Sequence, residues 1–308
     1  MITNTILMIK PAAFRRNDET AVNNHFQKEI TKVTPKTLQT KALKEFESFV
    51  EKLEKVGINV IIVEDTLKPE TPDAIFPNNW ISFHENGTVC MYPMFAENRR
   101  KERRIDVLEI VEKSGFKINN IIDFTEAEDE GFFLEGTGSM VLDRKNRIAY
   151  CALSPRSSEE VFIEFCEELE FTPVVFRANQ TVNGKRRAIF HTNVMLSLGD
   201  DFAIVCLQTI SDKKQRKHLA KVLQDSGKEI INISEEQVAN FAGNVLQLKG
   251  KADAKFIVMS ATAYKSLSKA QVSIIKQYGK IIKSDVKTIE ANGGGSVRCM
   301  IAEIFPNK

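Results

Sequence analysis

Hydrophobic positions recur along the chain in one repeated order. A small or polar residue leads into an apolar run, a tight turn and a second apolar run, and a helical pattern often follows. The clearest turn is Asn86-Gly87, because Asn-Gly between apolar runs is a strong signal for a β-hairpin. Further hairpins are predicted over residues 136–153, 191–207 and 242–260, and a fifth unit begins close to the C-terminus.

The five units can be aligned on one residue each. The alignment residues are Asn79, Gly138, Asn193, Asn244 and Ser296, and their separations are 59, 55, 51 and 52 residues. A nearly constant period is typical of a repeat architecture. The last unit lacks an outer strand, which the segment "NTILMIKPA" can supply by pairing with the C-terminal strand. This closure predicts a ring of units in one domain over residues 1–308, and chance similarity within an ordinary α/β chain is the alternative.

Helical patterns separate the hairpins. In "SSEEVFIEFCEELE" a serine suited to N-capping and early acidic residues precede apolar residues that fall on one helical face. The predicted helices cover residues 43–56, 104–114, 159–169, 213–225 and 266–278. Strand pairs alternating with helices place the chain in the α/β class.

Composition and charge narrow the class of protein. The 308 residues are 43% hydrophobic and 27% charged, as expected for a globular protein with a large core. A net charge of +2 gives no reason to expect a nucleic acid or membrane partner, and the basic cluster 99–104 is predicted to be mostly a solvated helix start. The apolar run Ile6–Ile9 is too short for a signal peptide, and no run approaches a membrane span of ~20 residues. We therefore expect a cytoplasmic protein.

The cysteines suggest reduced thiols. Their number, five, is odd, and no CxxC pair occurs, so neither a disulfide framework nor a zinc site is predicted. Cys299 differs from the other four because it follows three consecutive glycines in "GGGSVRCM". Glycine lets the backbone approach a substrate closely or adopt positive φ.

A ring would bring the first residues of the inner strands together at its axis. The polar residues at these positions are Asp73, Asn78, Asn79, Glu135, His191 and Cys299. An imidazolium close to a thiol raises the thiolate fraction, which is only a few per cent at neutral pH. The pattern therefore predicts a nucleophilic cysteine with an imidazole and acidic or amide groups. Taken singly, a buried cysteine, a core histidine and a glutamate that caps a turn are the alternatives.

Four motifs carry a resemblance to a known family. "DAIFPNNW", "LEG", "HTNVM" and "GGGSVRCM" occur in family order over nearly the whole chain. With them the chain resembles the guanidino-group-modifying superfamily of arginine deiminase, glycine amidinotransferase and dimethylarginine dimethylaminohydrolase, and most of all its citrulline-utilisation hydrolase branch. The resemblance implies a five-bladed α/β propeller (pentein) of ββαβ-type repeats, with an axial site and no metal or organic cofactor.

The resemblance also implies roles for individual residues. Cys299 would attack the central carbon of a guanidinium or ureido group, His191 would protonate the leaving nitrogen and activate water, and Glu135 would hold substrate nitrogens. Asp73 would bind the α-amine. Arg156 would bind the α-carboxylate, with Arg99 or Arg100 as a second contact.

Two departures from the family pattern bear on the substrate. Asn79 and Asn193 stand where the family often has acids. An amide can donate to the carbonyl of a neutral ureido group, whereas two carboxylates suit a guanidinium. Asn79 therefore favours citrulline, which would give ornithine, ammonia and CO2. Arginine deiminase activity, amidino transfer to an amine and a non-catalytic binding propeller stay open, as does a homo-oligomer.

Overall fold

The computed structural model describes residues 1–28 and 33–305. Within them the strands form five three-stranded sheets and one separate hairpin. With hydrogen-bonded strands written next to each other, the sheets are β17–β1–β2 (Ala302–Ile304, Thr5–Lys10, Asn59–Glu64), β3–β4–β5 (Ile81–Phe83, Thr88–Met91, Asn120–Asp123), β6–β7–β8 (Met140–Asp143, Ile148–Ala152, Thr172–Phe176), β11–β12–β13 (Leu196–Leu198, Phe202–Val205, Glu229–Asn232) and β14–β15–β16 (Leu246–Lys249, Lys255–Ser260, Lys280–Ser284). The α/β class predicted from the sequence is confirmed.

All five sheets have the same topology. The first strand pairs antiparallel with the second, and the second pairs parallel with the third. A parallel pair needs a crossover connection, and helices supply it in every unit. The crossover helices are α2 (Pro35–Lys55), α4 (Ile105–Lys113), α6 (Glu159–Glu168), α7 (Lys213–Asp225) and the pair α9 (Ala261–Ser266) and α10 (Lys269–Ile275).

The remaining helices are short. They are α1 (Asp18–Ala21), α3 (Glu97–Arg100), α5 (Gly136–Ser139), α8 (Glu235–Ala239) and α11 (Lys287–Gly293). Four of them carry residues at the candidate site: α1 carries Thr20, α3 carries Arg99, α5 carries Gly138, and α11 ends at Gly293, the first residue of the glycine run.

The two ends of the chain meet in one sheet. Thr5 lies opposite Ile304 and Leu7 opposite Ala302 in an antiparallel ladder. The N-terminal strand thus pairs with the C-terminal strand, as predicted. This pairing places the segment that carries Cys299 directly before a strand that is held by the N-terminus.

Helix boundaries differ from the predictions where capping decides them. The helix predicted from residue 43 begins at Pro35, because the Thr34 side chain caps its first turn. The helix predicted over 266–278 is broken, since Ser268 and Gln271 form a capping box that starts α10.

Two further features differ from the sequence analysis. An additional hairpin, β9 (Asn179–Val182) with β10 (Lys185–Ala188), precedes His191, and its second strand lacks the apolar alternation that would have indicated it. The basic cluster 99–104 is not mainly solvated, because Arg99 is only 2% exposed and pairs with Glu102, which is 4% exposed.

Candidate active site

The candidate site forms where the chain enters the first strands of the sheets. Each of the five alignment residues lies just before or within the turn that leads into such a strand. They are Asn79 before β3, Gly138 before β6, Asn193 before β11, Asn244 before β14 and Ser296 before β17. The sequence repeat therefore marks equivalent positions in the five units.

A narrow pocket lies among these turns. Its lining includes six residues that the sequence analysis selected: Asp73, Asn79, Arg99, Arg156, His191 and Cys299. Three other selected residues lie behind this lining. Glu135 is bonded to His191, Asn193 contacts Cys299, and Asn78 bonds Asn79 and Thr137.

The glycine run gives Cys299 its approach to the pocket. A Cβ on Gly293 would lie 2.7 Å from Cζ of Phe76, and one on Gly295 would lie 2.8 Å from Cε1 of the same ring. Gly294 has φ of +66°, a conformation that favours glycine. The run can therefore fold closely over Phe76 only because it carries no side chains.

Glu135 and His191 form a buried pair. Nε2 of His191 lies 2.7 Å from Oε2 of Glu135. Burial lowers the pKa of His191 to about 4, although the hydrogen bond and charge of Glu135 oppose this shift. Neutral His191 donates through Nε2 to the carboxylate, so Nδ1 carries the free lone pair.

Glu135 is ionised despite complete burial. Burial alone would raise its pKa, but the charges of Arg156 and Arg99 and the hydrogen bond of His191 hold the pKa well below its ordinary value. Arg156 Nη1 lies 3.4 Å and Arg99 Nη1 4.0 Å from Oε2, while the Phe95 amide donates to Oε1 at 3.1 Å. The site therefore contains a fixed negative charge next to the imidazole.

Cys299 is held among asparagines. Its Sγ lies 3.2 Å from Nδ2 of Asn244 and 3.6 Å from Nδ2 of Asn193. In the sequence Asn244 marks only a repeat position, and its contact with the sulfur was not predicted. The signal that could have found it is its alignment with Asn79 and Asn193.

The other four cysteines lie outside the pocket lining. Burial raises the pKa of Cys90 and Cys166 to about 12 and that of Cys206 to about 11, and it also raises the pKa of Cys151. These thiols are buried in the protein core and are unsuited to nucleophilic attack.

Asp73 has one carboxylate oxygen in use and one free. Oδ2 accepts hydrogen bonds from Asn17 Nδ2 at 2.8 Å and Thr20 Oγ1 at 3.0 Å. Oδ1 has no hydrogen-bond partner in the described part of the chain, although it is buried. A buried carboxylate oxygen without a partner is costly, so Asp73 is ready to accept from a ligand.

Arg99 connects several groups of the site. It forms a bidentate pair with Glu102 at 2.9 Å for both contacts and donates through Nη1 to Oδ1 of Asn79 at 2.7 Å. Burial raises the pKa of Glu102 to about 7, and the charge of Arg99 opposes that shift. The side-chain NH2 of Asn79 donates to Asn78, which leaves one proton free.

Arg156 is bound by the loop that follows the N-terminal strand. Its Nε donates to Oδ1 of Asn23 and its Nη2 to the carbonyl of Thr20, both at 2.7 Å, and its guanidinium lies over the Phe190 ring. This loop was not selected from the sequence because its asparagines follow no motif. Asn24 of the same loop lines the pocket.

Neither a metal-binding cluster nor a membrane-spanning helix occurs among the described residues. No group of three or more His, Cys, Asp or Glu side chains among them is arranged to hold a metal ion. No helix in this part of the chain is both long and apolar enough to cross a membrane.

Comparison with known families gives the class of the protein. The model of a family described as N,N dimethylarginine dimethylhydrolase, eukaryotic, matches residues 10–306. The chain belongs to this family. Membership confirms the predicted guanidino-group-modifying superfamily and the predicted hydrolase class. No curated protein matches the chain.

Solved structures share the fold of this family member. ArgZ, an arginine dihydrolase from the ornithine–ammonia cycle in cyanobacteria, is similar at a TM-score of 0.74 and 16% identity over 98% of this chain and 40% of that chain. Unliganded AgrE is similar at a TM-score of 0.74 and 16% identity, over 99% of this chain and 40% of the AgrE chain. A dimethylarginine dimethylaminohydrolase adduct with S-methyl-L-thiocitrulline is similar at a TM-score of 0.63 and 16% identity, over 98% of this chain and 100% of that chain. The chain thus spans about two fifths of the ArgZ and AgrE structures.

Proposed function

We propose that the protein is a hydrolase in which Cys299 attacks the ureido or guanidino carbon of an arginine-like amino acid, with citrulline as the substrate. The observation that carries this proposal is the pocket itself. Cys299, His191 and Asp73 line one small cavity, and the ionised Glu135 lies directly behind the imidazole. A nucleophile, a proton carrier and an unpaired carboxylate oxygen are the groups that such a reaction needs.

The first half of the reaction forms a covalent adduct. Sγ of Cys299 bonds to the ureido carbon while the bond from that carbon to the terminal nitrogen breaks. The thiol proton passes through Nδ1 of His191 to the leaving nitrogen, which departs as ammonia. Glu135 stabilises the imidazolium that forms in transit, because its carboxylate accepts from Nε2 at 2.7 Å.

The second half releases the product. Water attacks the adduct carbon, His191 accepts one water proton at Nδ1, and the carbon–sulfur bond breaks. The proton returns to Cys299, and the product is a carbamate of ornithine. Loss of CO2 then leaves ornithine, so one citrulline and one water give ornithine, ammonia and CO2.

The two ends of the amino acid have candidate partners in the pocket. Oδ1 of Asp73 is proposed to accept from the α-ammonium group, which would supply the hydrogen bond that this oxygen lacks. Arg156 is proposed to bind the α-carboxylate through the Nη1 proton not directed at Glu135, with Arg99 as a second cation. Asn78 is not part of the lining and supports Asn79 instead.

Asn79 supports the choice of citrulline. Its Oδ1 is occupied by Arg99, so its NH2 group is the part left for a ligand. An N–H donor suits the carbonyl oxygen of a ureido group and opposes the N–H groups of a guanidinium. Asn193 adds no carboxylate at the position where the family often has one.

Arginine is the second candidate. The ionised Glu135 next to His191 suits a guanidinium. ArgZ is described as an arginine dihydrolase, and AgrE has been solved in a binary complex with L-arginine. Hydrolysis of arginine to citrulline followed by hydrolysis of citrulline would use the same Cys299 twice.

We further propose that the five sheets are the blades of one α/β propeller, forming a single domain over residues 1–308. Support comes from the identical topology of the sheets and from the pairing of the two chain ends. First strands of different sheets also contact one another: β17 lies against β3, and β11 lies against both β6 and β14.

The test is a product screen with the purified protein. Citrulline, arginine, agmatine and methylated arginines are supplied separately, and ornithine, citrulline, ammonia and urea are measured. Citrulline should give ornithine and ammonia, Cys299→Ser should abolish turnover, and the matched variant Cys206→Ser should keep it. Turnover in Cys299→Ser, or no product from any of these substrates, would refute the proposed function.

A further inference from the structure

The side-chain amide of Asn244 has both its oxygen and its NH2 group in use inside the protein. It is fully buried. Its Oδ1 accepts from the backbone N–H of Arg298 at 3.1 Å. Its Nδ2 lies 3.2 Å from the carbonyl of Asn193 and 3.2 Å from Sγ of Cys299.

These contacts fix the orientation of the amide. A backbone N–H can only donate, so the atom that faces Arg298 must be the amide oxygen. The NH2 group is then turned to three acceptors: the Asn193 carbonyl and Sγ of Cys299, each at 3.2 Å, and Oδ1 of Asn193 at 3.4 Å. Asn244 therefore presents an N–H proton to Cys299 whatever the protonation state of the sulfur.

The side-chain amide of Asn193, the second amide near the sulfur, can present either its oxygen or its NH2 group to Sγ. Asn193 Nδ2 donates to the carbonyl of Thr137 at 3.1 Å and lies 3.6 Å from Sγ, while its Oδ1 lies 3.8 Å from Sγ. Asn193 can therefore accept from the thiol or face the thiolate, but Asn244 is a donor in both cases. In the described residues these two amides are the side chains that hydrogen-bond to Sγ.

The charged and titratable groups that face Cys299 belong to the same pocket. Asp73, Arg99, Arg156 and His191 line it with Cys299, and Glu135 stands behind His191. The imidazole is engaged with Glu135 and is neutral, so it supplies no positive charge to the resting sulfur. The side chain of Arg298 is directed to the Ile301 carbonyl and to Glu303.

We propose that Asn244 is a further catalytic residue, which stabilises negative charge on Sγ of Cys299 through its Nδ2 proton. This inference rests on the proposed function, because it assigns a role at the same sulfur. The sulfur gains negative charge when its proton leaves, before it attacks carbon, and again when the carbon–sulfur bond breaks. A hydrogen bond to a charged acceptor is about twice as strong as one to a neutral acceptor, so Asn244 favours both moments.

The experiment measures the reactivity of Cys299 without substrate. Alkylation by iodoacetamide is followed against pH in wild type and Asn244→Ala, with Cys299→Ser as the blank for the other thiols. The midpoint of the alkylation profile should rise by about one pH unit or more, and kcat for citrulline should fall ~10-fold or more. Asn292→Ala is the matched control, because Asn292 is equally buried but donates to the Thr288 carbonyl, and its alkylation midpoint should equal that of wild type.

A second variant covers the case in which Asn244→Ala does not fold. Asn244→Asp keeps the size of the side chain and an oxygen for the Arg298 N–H, but it turns an acceptor to the sulfur, so its alkylation midpoint should rise further. Folding of each variant is checked by thermal unfolding.

Two outcomes separate this proposal from the one on which it rests. If Cys299→Ser retains turnover, the proposed function fails, and with it the catalytic role of Asn244. If Cys299 is required but the folded Asn244 variants keep both the wild-type midpoint and the wild-type kcat, the role of Asn244 alone is overturned.

Discussion

The carboxylate of Glu135 lies 2.7 Å from Nε2 of His191, although 56 residues separate the two in the chain. The pair determines where the imidazole can act, because the nitrogen that faces Glu135 is committed to donation. Nδ1 is left with the free lone pair, which the proposed mechanism uses for proton transfer.

Protonation of His191 should couple to stability. Burial lowers the pKa of His191 from an ordinary value of 6.5 to about 4. The unfolded chain therefore binds a proton before the folded protein does, and stability present above pH 6.5 is lost as the pH falls toward 4. Between pH 7 and pH 5 the loss is about 2 kcal/mol.

The measurement compares wild type with His191→Gln by urea unfolding at the two pH values. Glutamine can still donate to Glu135 but does not titrate, so the free energy of unfolding of wild type should fall relative to the variant by that amount at the lower pH. If the difference in the free energy of unfolding between wild type and variant is the same at both pH values, His191 titrates alike in the folded and unfolded states.

Gly138 should tolerate no side chain. A Cβ at this position would lie 2.4 Å from Nδ2 of Asn79 and 2.8 Å from Nδ1 of His191, so Gly138→Ala must displace one or both groups. We expect kcat to fall ~10- to 100-fold, since small misplacements of catalytic groups have effects of this size.

Gly115→Ala is the control for this substitution. Among the described residues, no atom other than those of its chain neighbours lies within 4 Å of its Cβ position. Its φ is +98°, so a stability cost of about 1 kcal/mol with unchanged kcat is expected. If Gly138→Ala keeps the wild-type kcat, turnover does not require Asn79 and His191 to stay in their present positions.

Asp73 should determine affinity for the α-amine. Asp73→Asn keeps an oxygen that can accept from Asn17 and Thr20, but it removes the negative charge that faces the pocket. KM for citrulline should rise ~10-fold or more, whereas KM for the analogue without the amine should change little. Asp65→Asn, at an aspartate that bonds Thr71 outside the pocket lining, is the matched control. An equal rise in KM for both substrates would make Asp73 a structural residue.

Asn79 should select between ureido and guanidino substrates. Asn79→Asp keeps an acceptor for Arg99 but replaces the free N–H by a charged oxygen. kcat/KM for citrulline should fall ~10-fold or more, and the ratio of arginine to citrulline turnover should rise. Asn240 donates through its side chain to the Glu236 carbonyl, outside the pocket lining, so the control variant Asn240→Asp should leave this ratio unchanged. If wild type prefers arginine, or the ratio does not move in Asn79→Asp, the ureido interpretation fails.

The repeat, the helix over residues 213–225 and the pairing of the chain ends could be predicted from the sequence alone. The repeat and the helix depend on local periodicity and on turn residues, which the order of amino acids records directly. The pairing of the chain ends followed from the outer strand that the last repeat unit lacks. The glycine run before Cys299 was informative for the same reason, because only glycine allows so close a backbone approach to Phe76.

The tertiary structure decided which side chains meet in the site. Asn244 reaches Cys299 across 55 residues and Asn23 reaches Arg156 across 133, and neither contact has a local pattern. Arg99 lies in a basic run that is typical of a solvated surface, yet it is buried because Glu102, Asn79 and two backbone carbonyls accept its protons. Periodicity encodes which face of an element is buried, whereas the pairing of polar groups depends on how distant elements pack together.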